Sequence, residues 1–451
     1  MGRIFEGADV RGGATRGIVV RKSWLRHLLT FLVVAGPGLI VMEADNDAGA
    51  VSTYTQAGAQ YGLHLLWVML LLLPVCYCCQ EMVARLGIAT GEGHAATIYK
   101  RFGKWWGRFS LFDLIVVNFC TIVTEFAGIS LVASRFGVPP LIAVPLFAAA
   151  LVGVVITASY RRWEGVMVVL CLLDAVWLWA AFHTSHAIGP IISNTLVPNL
   201  PPAPGKAFTN IPAGGVTGAL VFLVMGVIGT TIAPWQLFFQ QSCVADKRLR
   251  FSDLRWERLD TFLSSIFTIV VGGCMMIVGA VAYRHNIAFI DPGQMADAIA
   301  PFAGPTIRNL VLIMLCNAAV LGASAVSLAS AWAWAEVTGW PHSLQQTWSQ
   351  AKGFYSVYAV GVGVAAAIVL IPKAPLQLII VGVQVLASLV LPVALVFLQL
   401  LLNDRALLGD KWVNKPFNNF INWAIIITLF AMSLILAVQT LWPNLPIFNF
   451  Q

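Results

Sequence analysis

Eleven runs of mainly apolar residues, at about 28–58, 62–86, 109–134, 138–159, 163–184, 213–244, 257–283, 305–337, 354–372, 376–403 and 417–442, take up most of this chain. About 20 such residues carry a helix across the hydrocarbon core of a bilayer. In lipid the backbone must satisfy its own hydrogen bonds, and a helix does so within one segment. With 59% hydrophobic and only 10% charged residues over 451 positions, the composition excludes an ordinary soluble domain. The predicted fold class is an all-α polytopic membrane protein with about eleven transmembrane helices. No cleavable signal peptide is expected, because the first 25 residues are polar and basic and lack an apolar core.

Charge orients the bundle. With a cytoplasmic amino terminus, all but five of the 27 Lys and Arg fall on cytoplasmic segments, the exceptions being Arg135, Lys206, Arg284, Arg308 and Lys373. Membrane proteins concentrate Lys and Arg on the inside. Residues 1–27 are therefore read as a basic cytoplasmic segment, 28–442 as the transmembrane transport domain and 443–451 as an extracytoplasmic tail, in a plasma-membrane protein. The same bias accounts for the net charge of +7 without a nucleic-acid partner. Trp105, Trp106 and the tryptophans from Trp332 to Trp340 read as interfacial anchors rather than stacking platforms.

Within the first run, Met42-Glu-Ala-Asp-Asn-Asp-Ala-Gly-Ala50 places three carboxylates, Glu43, Asp45 and Asp47, at membrane depth. Such a group costs about 2.5 kcal/mol or more and normally faces a cavity, a partner or an ion. Three so close together point to a cation site. Gly49 is the expected point of unwinding, and a broken helix turns backbone carbonyls toward cations. A short extracellular turn between two ordinary spans is the alternative. If the helix persists through the patch, Glu43 and Asp47 share a face; if the chain extends from Asp45, then Asp45 and Asp47 align.

The sixth run contains a second interruption, Gly226-Val-Ile-Gly-Thr-Thr-Ile-Ala-Pro-Trp-Gln236. Pro234 removes an amide donor, and Gly229 loosens the helix before it. A kinked but continuous helix is the alternative reading. Breaks in the first and sixth spans, each opening a set of five, match an inverted repeat with substrate bound at the midplane. The repeats would cover 28–184 and 213–403, with 417–442 as an extra helix.

Other chemistry is sparse. Cys76, Cys78 and Cys79 lie in an apolar span and read as helix packing rather than as a zinc module. No Gly-Lys-Ser/Thr phosphate loop is present, which argues against direct ATP drive, and the histidines do not pair at metal-ligand spacing. The stretch Thr90-Gly-Glu-Gly93 reads as a helix end. No enzymatic turnover and no cofactor are expected, and a monomer in the lipid bilayer is the expected state. Asp174 and Asn317 are read as packing or cavity polar groups.

The segment from Gly36-Pro37 through Asp47-Ala-Gly49 to Gln56-Ala-Gly58 resembles the first span of the NRAMP divalent-metal transporters. Asp47 falls on the family aspartate and Gly49 on its glycine, while Ala48 and Ala50 replace proline and asparagine. Glu81 to Gly91, Thr124-Glu-Phe-Ala-Gly128, Gly229-Thr-Thr-Ile-Ala-Pro-Trp235, and Gln384 with Pro392 are similar to motifs in the second, third, sixth and tenth spans. The resemblance implies the leucine-transporter fold. It also implies that Asp47, Thr230 and Gln384 face the ion and that Glu125 acts as a proton relay, with a supporting or helix-pairing role as the alternative. By the cost of charge in the membrane, Asp45 or Glu43 is expected to bind the hydration shell, or else to accept the freed amides of the broken helix or face an aqueous vestibule.

Two departures bear on selectivity. Ala233 stands where the family has a metal-selecting methionine, and Trp235 where it has a histidine tied to proton transport. Thioether favours soft or borderline ions, whereas an oxygen-only site suits magnesium or manganese. Magnesium prefers six oxygens, keeps several waters and needs only one or two carboxylates. The pattern is similar to the NRAMP-related magnesium transporters. The expected function is alternating-access transport of hydrated Mg2+, with Mn2+ also passing and no proton coupling. The rivals are a proton-coupled Mn2+/Fe2+ transporter and a cation-coupled amino-acid transporter.

Overall fold

The computed structural model describes residues 30–31, 34–157, 159–185, 187–199, 218–371 and 376–441, and within them the chain is built from helices. The basic segment 1–27, the tail 443–451 and the loop cations Lys206 and Lys373 lie outside the described residues. Span 1 comprises α1 (Pro37–Glu43) and α2 (Ala48–Tyr61); span 2 is α3 (Leu66–Thr90), and a short α4 (His94–Phe102) leads to span 3, α5 (Lys104–Arg135). Span 4 is α6 (Pro140–Ile156), and span 5 is divided into α7 (Tyr160–Leu173) and α8 (Val176–Thr184). After α9 (Ile188–Leu196), span 6 is α10 (Gly218–Thr231) and α11 (Pro234–Asp246), and span 7 is α12 (Leu254–Arg284). Span 8 is α14 (Pro305–Thr338), preceded by α13 (Pro292–Ala303), and span 9 is α15 (Lys352–Val369). Span 10 is α16 (Leu376–Leu402), α17 (Arg405–Trp412) follows, and span 11 is α18 (Pro416–Leu441).

Every predicted run holds a span. Nine helices among the described residues are long and apolar enough to cross a membrane. The 17-residue α6 and the divided span 1 complete the set. Thr90 to Gly93 is indeed a helix end, with Gly91 in the left-handed conformation at φ 64° after α3. Span 5 divides at Asp174 and Ala175, where the sequence shows no glycine or proline. There the amide of Asp174 bonds back to Cys171 O at 3.1 Å and that of Trp177 to Asp174 O at 3.0 Å, a tight turn within the span.

Spans 1, 3, 6, 7, 8 and 10 form the buried centre. Span 1 packs along span 7, span 3 along span 8, and α10 along span 10. Small residues set the first of these distances: a Cβ on Gly58 would overlap the Met276 carbonyl, and one on Gly279 would overlap the carbonyl of Thr55. At one end of the bundle Arg135 pairs with Asp291 at 3.4 Å and with Asp297, which also binds Arg308 at 2.6 Å. At the opposite end Glu81 holds Arg85 at 3.2 Å and Arg258 at 2.7 Å.

His94, between spans 2 and 3, is buried with its Nδ1 2.7 Å from Gln241 Oε1, and Phe238 stands edge-on to its ring. Burial lowers its pKa to about 4, against about 6.5 in an unfolded chain. The fold thus prefers the neutral ring, so its full stability holds above about pH 6.5 and falls as the pH drops toward 4, by up to about 3 kcal/mol. In thermal unfolding, His94→Asn is expected to show a smaller loss of midpoint between pH 7 and 4 than the parent protein.

Candidate functional site

Span 1 unwinds before Gly49, not at it. The helix α1 ends at Glu43, the amide of Asn46 bonds Glu43 O at 3.0 Å, and Asp47 takes an extended backbone (φ −68°, ψ −176°) as the N-cap of α2. Its carboxylate accepts the Ala50 amide at 2.7 Å, satisfying one donor that a helix start leaves free. Gly49 lies in the first turn of α2. Its missing side chain admits span 10: a Cβ there would overlap Gln384 Nε2 and stand 3.0 Å from Asp47 Oδ1. Gln384 Nε2 itself is 3.5 Å from that oxygen.

Glu125 reaches the same point from span 3. Its Oε2 accepts the Ala48 amide at 3.1 Å, and its carboxyl is in hydrogen-bond contact with that of Asp47. Both lean on Gly322 of span 8, where a Cβ would sit 2.8 Å from Asp47 Cβ and 2.9 Å from Glu125 Cδ. Asp47, Glu125 and Gln384 are therefore brought together, 337 residues apart at the extremes.

Span 6 contributes its break from the side. Ala233 is extended (φ −98°, ψ 150°), and Pro234 is the first residue of α11, where its missing amide costs nothing. The Ala233 amide donates to Gln236 Oε1 at 3.2 Å, which also accepts Gln80 Nε2 at 3.1 Å. Gly229 does not loosen the helix. It remains inside α10, and a Cβ there would stand 2.8 Å from Ser388 N and overlap the Gln384 carbonyl. Span 6 thus meets span 10 at the residue that touches Asp47. Thr230, one residue on, is buried, and its Oγ1 has no hydrogen-bond partner.

Asp45 lies between the two breaks. It faces Gln236, neighbours Asp47, and leaves Oδ2 without a partner. Tyr54 and Cys76 stand beside it; the Tyr54 hydroxyl is 2.7 Å from Thr231 Oγ1, and Cys76 Sγ donates to Thr231 O at 3.5 Å. Glu43 is not in this group. The turn at 44–47 breaks the helical face that would have set it beside Asp47, and its oxygens accept Thr268 Oγ1 at 2.6 Å and Asn46 Nδ2 at 3.3 Å. Ala50 and Ala233 present methyl groups and engaged amides, and Trp235 is a buried packing residue edge-on to Phe239.

Gln80 and Gln236 were not singled out from the sequence, although each is a polar residue in an apolar span. Gly322, Ser388 and Tyr54 carry no sequence signal of their place. Among the described residues no three His, Cys, Asp or Glu side chains are grouped to hold a metal. Around Asp47 stand the Glu125 carboxyl, the Gln384 amide and the backbone opened at the span 1 break. Such a set can compensate a hard cation that retains part of its water.

A family profile described as "Natural resistance-associated macrophage protein-like" matches residues 38–439. The chain is 24% identical over 442 residues to "Divalent metal cation transporter MntH" of Staphylococcus aureus, covering 93% of each sequence. Among solved structures it superposes on an Eremococcus coleocola manganese transporter with a TM-score of 0.71 at 19% identity, covering 96% of this chain and 91% of that one. MhsT, solved in complex with L-phenylalanine, matches with a TM-score of 0.57 at 11% identity, covering 89% of this chain and 97% of that one. The shared architecture is the leucine-transporter fold, with helices interrupted in spans 1 and 6.

Proposed function

The chain belongs to the Nramp family, and from that premise we propose that it transports hydrated divalent cations, mainly Mg2+ with Mn2+ also passing, by alternating access and without obligatory proton coupling. The observation that carries this reading is the meeting of Asp47, Glu125 and Gln384 at the span 1 break, with a methyl group and no thioether at Ala233 in the span 6 break. Asp47 is the charged ligand. Thr230 supplies its unpartnered hydroxyl or its carbonyl, and the Gln384 amide turns its oxygen to the ion. Asp45, with Oδ2 free, holds a water of the hydration shell. On the far side of the site from Glu81, Ser52 Oγ donates to Gln377 Oε1 at 2.9 Å and Gln377 Nε2 to Gln56 Oε1 at 3.2 Å. This polar seam between spans 1 and 10 suits a cation that travels with water.

In this reading residues 28–184 and 213–403 are the two inverted repeats and 417–442 is an added helix. The protein works as a monomer in the plasma membrane, with its amino terminus inside and its carboxyl terminus outside, and needs no ATP. Magnesium-reported and manganese-quenched uptake into liposomes tests the function: uptake that persists without a pH gradient supports it, and selective amino-acid uptake refutes it. Ala50→Asn combined with Ala233→Met restores an amide and a thioether at the two breaks. Competition for Mn2+ uptake is expected to shift roughly tenfold or more from Mg2+ toward Cd2+; an unchanged ratio would place the ion elsewhere.

One observation favours a second reading, proton-coupled Mn2+ transport. The carboxyls of Asp47 and Glu125 touch, and two carboxyls in hydrogen-bond contact share a proton that an arriving cation can displace. Acidification that accompanies Mn2+ uptake and disappears in Glu125→Gln would establish it.

A further inference from the structure

Glu43 is left over when the Asp47 group is assembled, and Asp174 of the adjoining span 5 lies within electrostatic range of it. Cys171, one turn before Asp174, neighbours both, and its thiol points at Leu39 O at 4.0 Å. Spans 5, 7 and 8 enclose the pair. Thr268 and Asn46 hold Glu43, while Asn317 Nδ2 donates to Asp174 Oδ1 at 3.0 Å and to Leu170 O at 3.1 Å. Glu43, Asn46, Thr268 and Asp174 are fully buried, and Asn317 is 8% exposed.

Among the described residues this cluster has no positive partner: no Lys, Arg or His forms an ion pair with Glu43 or Asp174. Three oxygens, Asp174 Oδ2, Asn46 Oδ1 and Asn317 Oδ1, have no hydrogen-bond partner. Each belongs to a side-chain head whose other polar atom is bound within the cluster, so the surplus is made entirely of acceptors. Buried acceptors and unpaired carboxylates at membrane depth are costly unless a cation meets them. Two carboxylates and neutral amide and hydroxyl oxygens are the ligands a hard divalent ion takes, and its charge matches theirs.

We propose that Glu43 and Asp174, with Asn46, Asn317 and Thr268, form a second divalent-cation site, separate from the Asp47 site. It rests on the reading that divalent cations are the substrate. Span 1 enters both sites, Asp45 and Asp47 in one and Glu43 and Asn46 in the other, and span 8 carries Asn317 here and Gly322 beside Asp47. Glu43 and Asp45 thus serve different ions: Asp45 turns to the span 6 break, and Glu43 to span 5. The span 5 turn has a role here too, because it carries Asp174 into the bundle.

Manganese binding to the purified full-length protein, measured by equilibrium dialysis and electron paramagnetic resonance, tests this. The wild type is expected to hold a second Mn2+ ion that is lost in Asp174→Asn and in Glu43→Gln but kept in Asp47→Asn. A single wild-type ion, removed by Asp47→Asn and untouched by the other two variants, overturns the proposal. Crystals of the wild type soaked in Mn2+ give a check that needs no variant: anomalous density between Glu43 and Asp174 supports the site, and density at Asp47 alone refutes it. Density between Glu43 and Asp174 with none at Asp47 would uphold this site and count against the proposed transport site instead.

Discussion

Asp47→Asn, reconstituted in liposomes, is expected to abolish Mg2+ and Mn2+ uptake while leaving the protein folded. The substitution keeps an oxygen that can accept the Ala50 amide, bonded at 2.7 Å in the parent, so the start of α2 remains capped. It removes the carboxylate that the span 1 break, Gln384 and Glu125 surround. Truncating a desolvated charged partner typically costs 2 to 5 kcal/mol, which at about 3 kcal/mol is roughly 100-fold in affinity. Asp47→Ala should lose the same affinity and also the cap, a further loss of about 1 kcal/mol in stability. Calorimetric Mg2+ titration and thermal unfolding of the two variants separate these contributions. Full binding in Asp47→Asn would exclude Asp47 as the charged ligand.

The second large effect concerns the fold. Gly58→Val is expected to give little or no folded protein by size-exclusion chromatography in detergent. A side chain there has no room, because a Cβ would already overlap the Met276 carbonyl and stand 2.8 Å from its carbon and 2.9 Å from Ala280 N. Those atoms are backbone, so no rotamer relieves the clash, and the cost exceeds the 1 to 3 kcal/mol typical of overpacking. Gly363→Ala in span 9 is the control, since a Cβ at that position meets nothing within 4 Å. It should raise the unfolding midpoint slightly, as Ala is favoured over Gly inside a helix by roughly 0.5 to 1 kcal/mol. A well-folded Gly58→Val would mean that spans 1 and 7 do not approach as described.

The two glycines of the breaks show where reading residues in order fails. Because glycine weakens a helix, the sequence marks Gly49 and Gly229 as points of unwinding. Both are helical, and each is small because span 10 presses against it. The unwinding falls beside them, at 44–47 and at Ile232–Ala233. Asp47, Glu125 and Gln384, which meet in the fold, stand out in the sequence as polar groups at membrane depth that match a family pattern. Gly322 and Ser388 could not, since a small residue in an apolar helix signals nothing until the helix facing it is known.

The sequence alone determined that the chain is a bundle of about eleven membrane helices, that two of them are interrupted, and that acidic residues stand at one interruption. Those properties follow from hydrophobic length and from the cost of charge in lipid, both local to a segment. The partition of the three carboxylates was decided only by tertiary structure. Asp47 turns to Gln384 and Glu125, Asp45 to Gln236, and Glu43 to Thr268 and the neighbouring Asp174. The physical reason is that a turn of four residues points its side chains in different directions, and what each one meets is supplied by spans up to 337 residues away.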